Sequence, residues 1–424
     1  MSTAKTVTAT ATGSALAVSV LFACATNVEL GAQDTPGSEH PAPVGLPEAG
    51  PDDSDVTSDA AADAGSDGDG SVTATCSTGD FCYMSPPIQA PLAGVSGSAA
   101  DDVWAAGGRG ILRFRGTNWE QVYEFTGTIS TVNPNPFLGV AAHNPQKVWA
   151  WALDSTGRIF FVRYMSVGDA PQAFHESSTT VSFNARRSVW VTPEADAAWV
   201  ALGNANITRF TDNGNGGLVA QTLTPKASPT DTKRYYWQHV WGFAADDVCV
   251  SGEDFSTDLA GPGANQSPPL LAHWNGTDWT ITALPVPVGP QSGVLRVTQP
   301  GGAERQLWIR TYKDQTSTVS LYPLDQDGSL GEALLRQNMH EGSPCGLDYG
   351  WILSPTSAWI SNGLSVCRWD GTKLSYVPSA LGHLPTGFVR GIWGASDDDI
   401  WIVGEAPPKG DTAPATGFIA RRKK

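Results

Sequence analysis

One short pattern returns at intervals along this 424-residue chain, and it limits the possible folds more than any other feature. Three copies align directly: Val95-Ser96-Gly97-Ser98-Ala99-Ala100-Asp101-Asp102-Val103-Trp104, Val240-Trp241-Gly242-Phe243-Ala244-Ala245-Asp246-Asp247-Val248-Cys249, and Ile392-Trp393-Gly394-Ala395-Ser396-Asp397-Asp398-Asp399-Ile400-Trp401. Four more divergent copies end at Trp149, Trp199, Trp308 and Trp359. The anchors are therefore Trp104, Trp149, Trp199, Cys249, Trp308, Trp359 and Trp401. Their separation of roughly 40–60 residues is that of a four-stranded propeller blade.

Each copy reads as four strands. A short apolar strand ends in Gly or another small residue, and a polar turn leads into the anchor strand. A third strand follows, as in Ile111-Leu112-Arg113-Phe114 or Val366-Cys367-Arg368-Trp369. It closes in a tight turn such as Asn275-Gly276-Thr277 or Asp370-Gly371-Thr372, where Gly supplies the positive φ of a two-residue hairpin. A fourth strand leaves the turn, as in Trp119-Glu120-Gln121-Val122. A lone four-stranded meander leaves two apolar faces uncovered. A ring of blades covers both, so the sequence predicts an all-β, seven-bladed β-propeller over 76–424. A buried indole contributes about 4–6 kcal/mol by area, an upper bound, so the anchors are expected to pack between blades. The seventh copy stops after its third strand, at Gly417–Lys424, and the segment around Asp80–Met84 is expected to supply the fourth.

On these residues the chain resembles bacterial surface or periplasmic propeller lipoproteins, with kelch-like and WD40-like repeats as distant relatives. The resemblance implies a ring with a binding face, and no particular activity.

The N-terminal part has another character. Lys5 precedes an uncharged, increasingly apolar run ending Leu21-Phe22-Ala23-Cys24, which reads as an export signal over 1–23. These four residues resemble a lipobox, which implies lipidation at Cys24. The absence of Asp after Cys24 then implies outer-membrane sorting, facing the periplasm or the cell surface. Cleavage after an A-x-A site, giving a secreted protein, and an uncleaved anchor are the other readings. Residues 25–75 hold eleven acids, no Lys or Arg and no aromatic residue, so 24–75 is expected to be a disordered tether. With a formal net charge of −16, +1 at Lys5 and −11 in this segment, residues 76–424 sum to −6. That balance excludes the basic footprint of a nucleic-acid binder.

In an oxidising compartment, Cys76 and Cys82 lie close enough to bridge locally. Cys345 and Cys367 share the sixth copy, one before its first strand and one on its third. Strands two apart are about 9–10 Å from each other, so this pair bridges only if the loop carrying Cys345 folds back. Cys249 reads as a buried thiol.

Chemistry is sparse. No Cys or His spacing reads as a metal site, no cofactor motif is present, and the seven His are scattered. The acidic runs Asp101-Asp102, Asp246-Asp247 and Asp397-Asp398-Asp399 repeat from copy to copy, as turns do and as a catalytic pair does not. The expectation is a monomeric, non-enzymatic binding or scaffold protein of the cell envelope, touching the membrane only through an N-terminal lipid. Its ligand would be a protein or a polysaccharide, held by loops on one face, with 222–236 and 254–269 as candidate insertions. The alternative is a carbohydrate-active propeller enzyme, a glycoside hydrolase or polysaccharide lyase, with Arg, Tyr and carboxylates meeting at the axis.

Overall fold

The computed structural model describes residues 75–76, 81–128, 135–166, 173–182, 188–254, 269–285, 292–298, 301–302, 304–313, 316–339, 345–378, 387–407 and 415–423. The residues read as an export signal, Cys24 and all but the last residue of the segment read as a tether lie outside them.

Among the described residues the repeat becomes seven sheets of four antiparallel strands, that of blade 6 extended by Gly301–Gly302, which pairs parallel with Tyr349–Ser354. Blade 1 is built from Leu92–Ala99, Asp102–Gly107, Gly110–Arg115 and Asn118–Glu124, each strand pairing with the next. Blades 2 to 6 repeat that order, with first strands Phe137–Asn144, Ser188–Val191, Tyr235–Ala244, Ser292–Thr298 and Tyr349–Ser354. Gly276 and Gly371 take φ of +96° and +90° in the hairpin turns the sequence marks.

Blade 7 draws on both ends of the described chain. Phe388–Ser396, Asp399–Ala406 and Thr416–Lys423 are joined by Phe81–Met84, which pairs antiparallel with the last of them, Phe81 opposite Arg422 and Met84 opposite Ile419. Thr75–Cys76 adds a further short strand, with Cys76 opposite Cys82. Cys82 is disulfide-bonded; the side chain of Cys76 lies outside the described residues.

Packing closes the ring. Among the described residues, seven apolar clusters each join two neighbouring blades, including blades 7 and 1. Every anchor sits in the cluster it shares with the following blade: Trp104 with Phe137 and Val140 of blade 2, Trp401 with Leu92 and Phe114 of blade 1. All seven anchors are at most 2% exposed. Trp119, an outer-strand indole, is 6% exposed and stands 5.4 Å from Trp401, whereas Trp279 is half-buried against Trp274.

Cys345 and Cys367 are bridged, with Cα atoms 5.6 Å apart. The strand-spacing objection is overcome because Cys345 precedes the strand. Its segment turns back over the second strand, where the Asp348 N–H donates to the Ser361 carbonyl at 2.7 Å.

Candidate functional site

The inner strand of each blade faces the axis, and the residue opposite the anchor marks a common level on each inner strand. That residue is Ser96, Ala141, Trp190, Trp241, Thr298, Trp351 or Trp393 in blades 1 to 7. Small residues in blades 1 and 2 permit close approach there. A Cβ on Gly94 would lie 3.0 Å from the Gly139 Cα, and one on Gly391 would lie 3.1 Å from the Gly94 Cα. Backbones of blades 7, 1 and 2 therefore touch, which only Gly allows. Ser96 fastens two of them, its hydroxyl accepting the Ala142 N–H at 3.0 Å.

Beside this contact lies a cavity of about 810 Å³, lined mainly by first strands of blades 1, 2, 3, 4, 6 and 7, with Trp151 from the second strand of blade 2 and Pro193, Gly302, Leu347 and Asp348 from outside the first strands. Its wall carries the indoles Trp151, Trp190, Trp241 and Trp351, together with His143, His239, Asp348, Tyr349 and Arg390. Trp241 is 5% exposed, whereas Trp151, Trp190 and Trp351 are half-buried. His143 of blade 2 stacks on Trp351 of blade 6 with ring centres 6.4 Å apart and planes 18° apart, a contact that reaches across the axis. Burial lowers the pKa of His143, which keeps its ring neutral.

At the start of the inner strands, Arg390 forms the polar part of a mouth. It pairs with Glu405 at 3.1 Å, donates to the Tyr349 hydroxyl and lies 5.6 Å from the Phe388 ring centre. Burial opposes its charge, but Tyr349 and Glu405 outweigh burial and raise its pKa. Phe388, 43% exposed, and Leu364, 58% exposed, are large apolar side chains on the same side. The two segments are tied by the Val389 N–H donating to the Gly363 carbonyl.

The acidic runs lie elsewhere. Asp102 holds Arg113 at 2.7 Å and accepts from the Ser98 hydroxyl, Asp247 holds His273 and Arg305, and Asp399 holds Arg421. They are structural ion pairs of the turns, and none lines the cavity. Residues 224–234 of the first candidate insertion close on themselves, with the Asp231 carboxylate accepting from Ala227 N–H, Lys233 N–H and the Tyr235 hydroxyl. Residues 255–268 of the second, with His40, His340 and His383, lie outside the described residues. Among the described residues no group of three or more His, Cys, Asp or Glu is placed to hold a metal ion, and no helix is long and apolar enough to cross a membrane.

Sequence reasoning named neither Arg390 nor the inner indoles. The available signal was the Trp preceding Gly in Val240-Trp241-Gly242 and Ile392-Trp393-Gly394, which marks the inner strand as surely as the anchor marks the second.

Fold and cavity together define a seven-bladed β-propeller with an aromatic-walled axial chamber. No family model matches the chain, and no curated protein matches it. Solved structures similar to it include YCF48 bound to D1 peptide, at 13% identity and a TM-score of 0.45, covering 84% of this chain and 100% of that one. Another is the Myceliophteria thermophila Cps50 (Swd1) β-propeller domain, at 10% identity and 0.46, covering 78% and 96%. A third is the SapL1 lectin in complex with alpha methyl fucoside, at 14% identity and 0.36, covering 68% and 95%.

Proposed function

We propose that the protein is a non-enzymatic binding protein of the bacterial cell envelope, monomeric, taking a protein or polysaccharide ligand at the axial mouth. The observation that carries this reading is a cavity whose volume is typical of ligand sites, with Arg390 in its wall and exposed Phe388 beside Arg390. Envelope placement draws on the lipobox-like Leu21–Cys24 and is supported by the Cys345–Cys367 bridge, since disulfides persist in oxidising compartments.

The alternative, a carbohydrate-active enzyme, would use Tyr349, Arg390 and Glu405. Glu405 is already committed to Arg390, which leaves that cluster without a free acid–base pair.

The test is capture of envelope proteins and glycans by the full chain, compared with Phe388→Ala and Arg390→Ala. A ligand retained by the wild type and lost from both variants supports the reading. Cleavage of a polysaccharide by the purified chain would transfer it to the enzyme.

A further inference from the structure

The cavity wall combines two kinds of surface. Trp190 is half-buried at the wall, Trp351 already holds His143 against its ring, and Arg390, Tyr349 and Asp348 add polar groups at the mouth. The charge of Arg390 is already met by Glu405, so the mouth does not call for an anionic ligand. His143, neutral through burial, adds no cation. A ligand suited to this wall is uncharged, offers a flat C–H face to an indole and turns hydroxyls toward Arg and Tyr. A pyranose ring has that chemistry. The volume of about 810 Å³ admits a few such rings and no folded domain.

We propose that the cavity binds a short stretch of uncharged polysaccharide, stacked on Trp190, with its hydroxyls bonded to Arg390 and Tyr349. This rests on the reading of the axial mouth as the binding site. Stacking supplies affinity, because an apolar ring face leaves water for an aromatic face. The polar pair supplies orientation, because a hydroxyl that misses Arg390 or Tyr349 is left desolvated and unpaired.

The experiment uses the full chain on a glycan array. Titrations with cellohexaose, xylohexaose and chitohexaose follow, read by calorimetry and tryptophan fluorescence. At least one glycan is expected to bind and shift the indole emission. Trp190→Ala is expected to weaken that binding about tenfold or more, the loss given by removing one stacking platform. Trp190→Phe, which keeps a ring face, retains most of the affinity and guards against a folding defect. Two results overturn the proposal: an array with no bound glycan, or a bound glycan whose affinity is unchanged in both Trp190→Ala and Arg390→Met. A blank array with a protein ligand that Arg390→Met abolishes removes the sugar and leaves the mouth as a binding site. If no ligand responds to Arg390→Met, both readings fall.

Discussion

Arg421 covers the indole of Trp401, its cross-strand neighbour, with the guanidinium carbon 4.5 Å from the ring centre while two of its nitrogens hold the carboxylate of Asp399 at 2.7 and 2.8 Å. Trp104, Arg113 and Asp102 repeat the arrangement in blade 1, with the guanidinium 4.6 Å from the ring centre. Arg163, Arg209 and Arg368 likewise face Trp149, Trp199 and Trp359. Blade 4 keeps the position and changes the chemistry: His273 stands opposite Cys249 and bonds to Asp247. In blade 5 an apolar Leu321 faces Trp308. In blades 1 and 7 the Asp of the turn thus fixes the Arg, and the Arg covers the anchor, whereas Arg163 and Arg368 take their carboxylates, Asp212 and Asp397, from the following blade.

Arg421→Ala strips that cover and leaves Asp399, whose side chain is only 12% exposed, without its partner. Removing one member of a buried pair costs about 3 kcal/mol, so denaturant unfolding is expected to begin at lower concentration. Arg421→Lys should recover part of the loss, because a point charge reaches Asp399 but cannot match the planar fork.

The ring is closed by a strand far from its partner in sequence, Phe81 standing opposite Arg422, so its hold depends on packing. Phe81 is fully buried, edge-on to Trp359 at 5.9 Å. Phe81→Ala is expected to cost about 3–5 kcal/mol and to expose the Thr416–Lys423 edge. Faster proteolysis near both ends of the propeller and concentration-dependent aggregation would report it. Unchanged proteolysis would show that the closing strand contributes little.

The Cys345–Cys367 bridge closes a loop of sequence separation 22, worth about 3 kcal/mol in the chain-entropy account. A Cys345→Ser, Cys367→Ser double variant should unfold at lower temperature than the wild type. Added reductant should lower the wild type toward the variant and leave the variant little changed.

His143 gives the cavity a pH dependence. Its folded-state pKa is lowered, so below about pH 6.5 the unfolded chain binds a proton that the folded one does not. Its contribution to stability is therefore complete above about pH 6.5 and declines as pH falls below it. Melting temperatures measured from pH 8 to 5 should show the decline, and His143→Phe, which retains a ring against Trp351, should flatten it.

The repeats Asp102-Val103-Trp104, Asp247-Val248-Cys249 and Asp399-Ile400-Trp401 determined by themselves that the chain forms seven like sheets, because a local pattern of alternating apolar residues and turn residues dictates strands and hairpins. The incomplete seventh copy likewise called for a strand from the N-terminal side, since an open edge is costly. What each blade does to its neighbour was beyond local pattern. The inner positions Trp190, Trp241 and Trp351 line a cavity that exists only once blades far apart in sequence converge on one axis, where Trp351 of blade 6 meets His143 of blade 2. Arg390 is an ordinary strand residue until Tyr349 of the neighbouring blade and Glu405 of the adjacent strand close around it. The bridge at Cys345 depended on a backward turn that strand spacing alone argues against. Strand and turn are decided by neighbours along the chain, whereas a site at the centre of a ring is decided by which distant neighbours closure brings together.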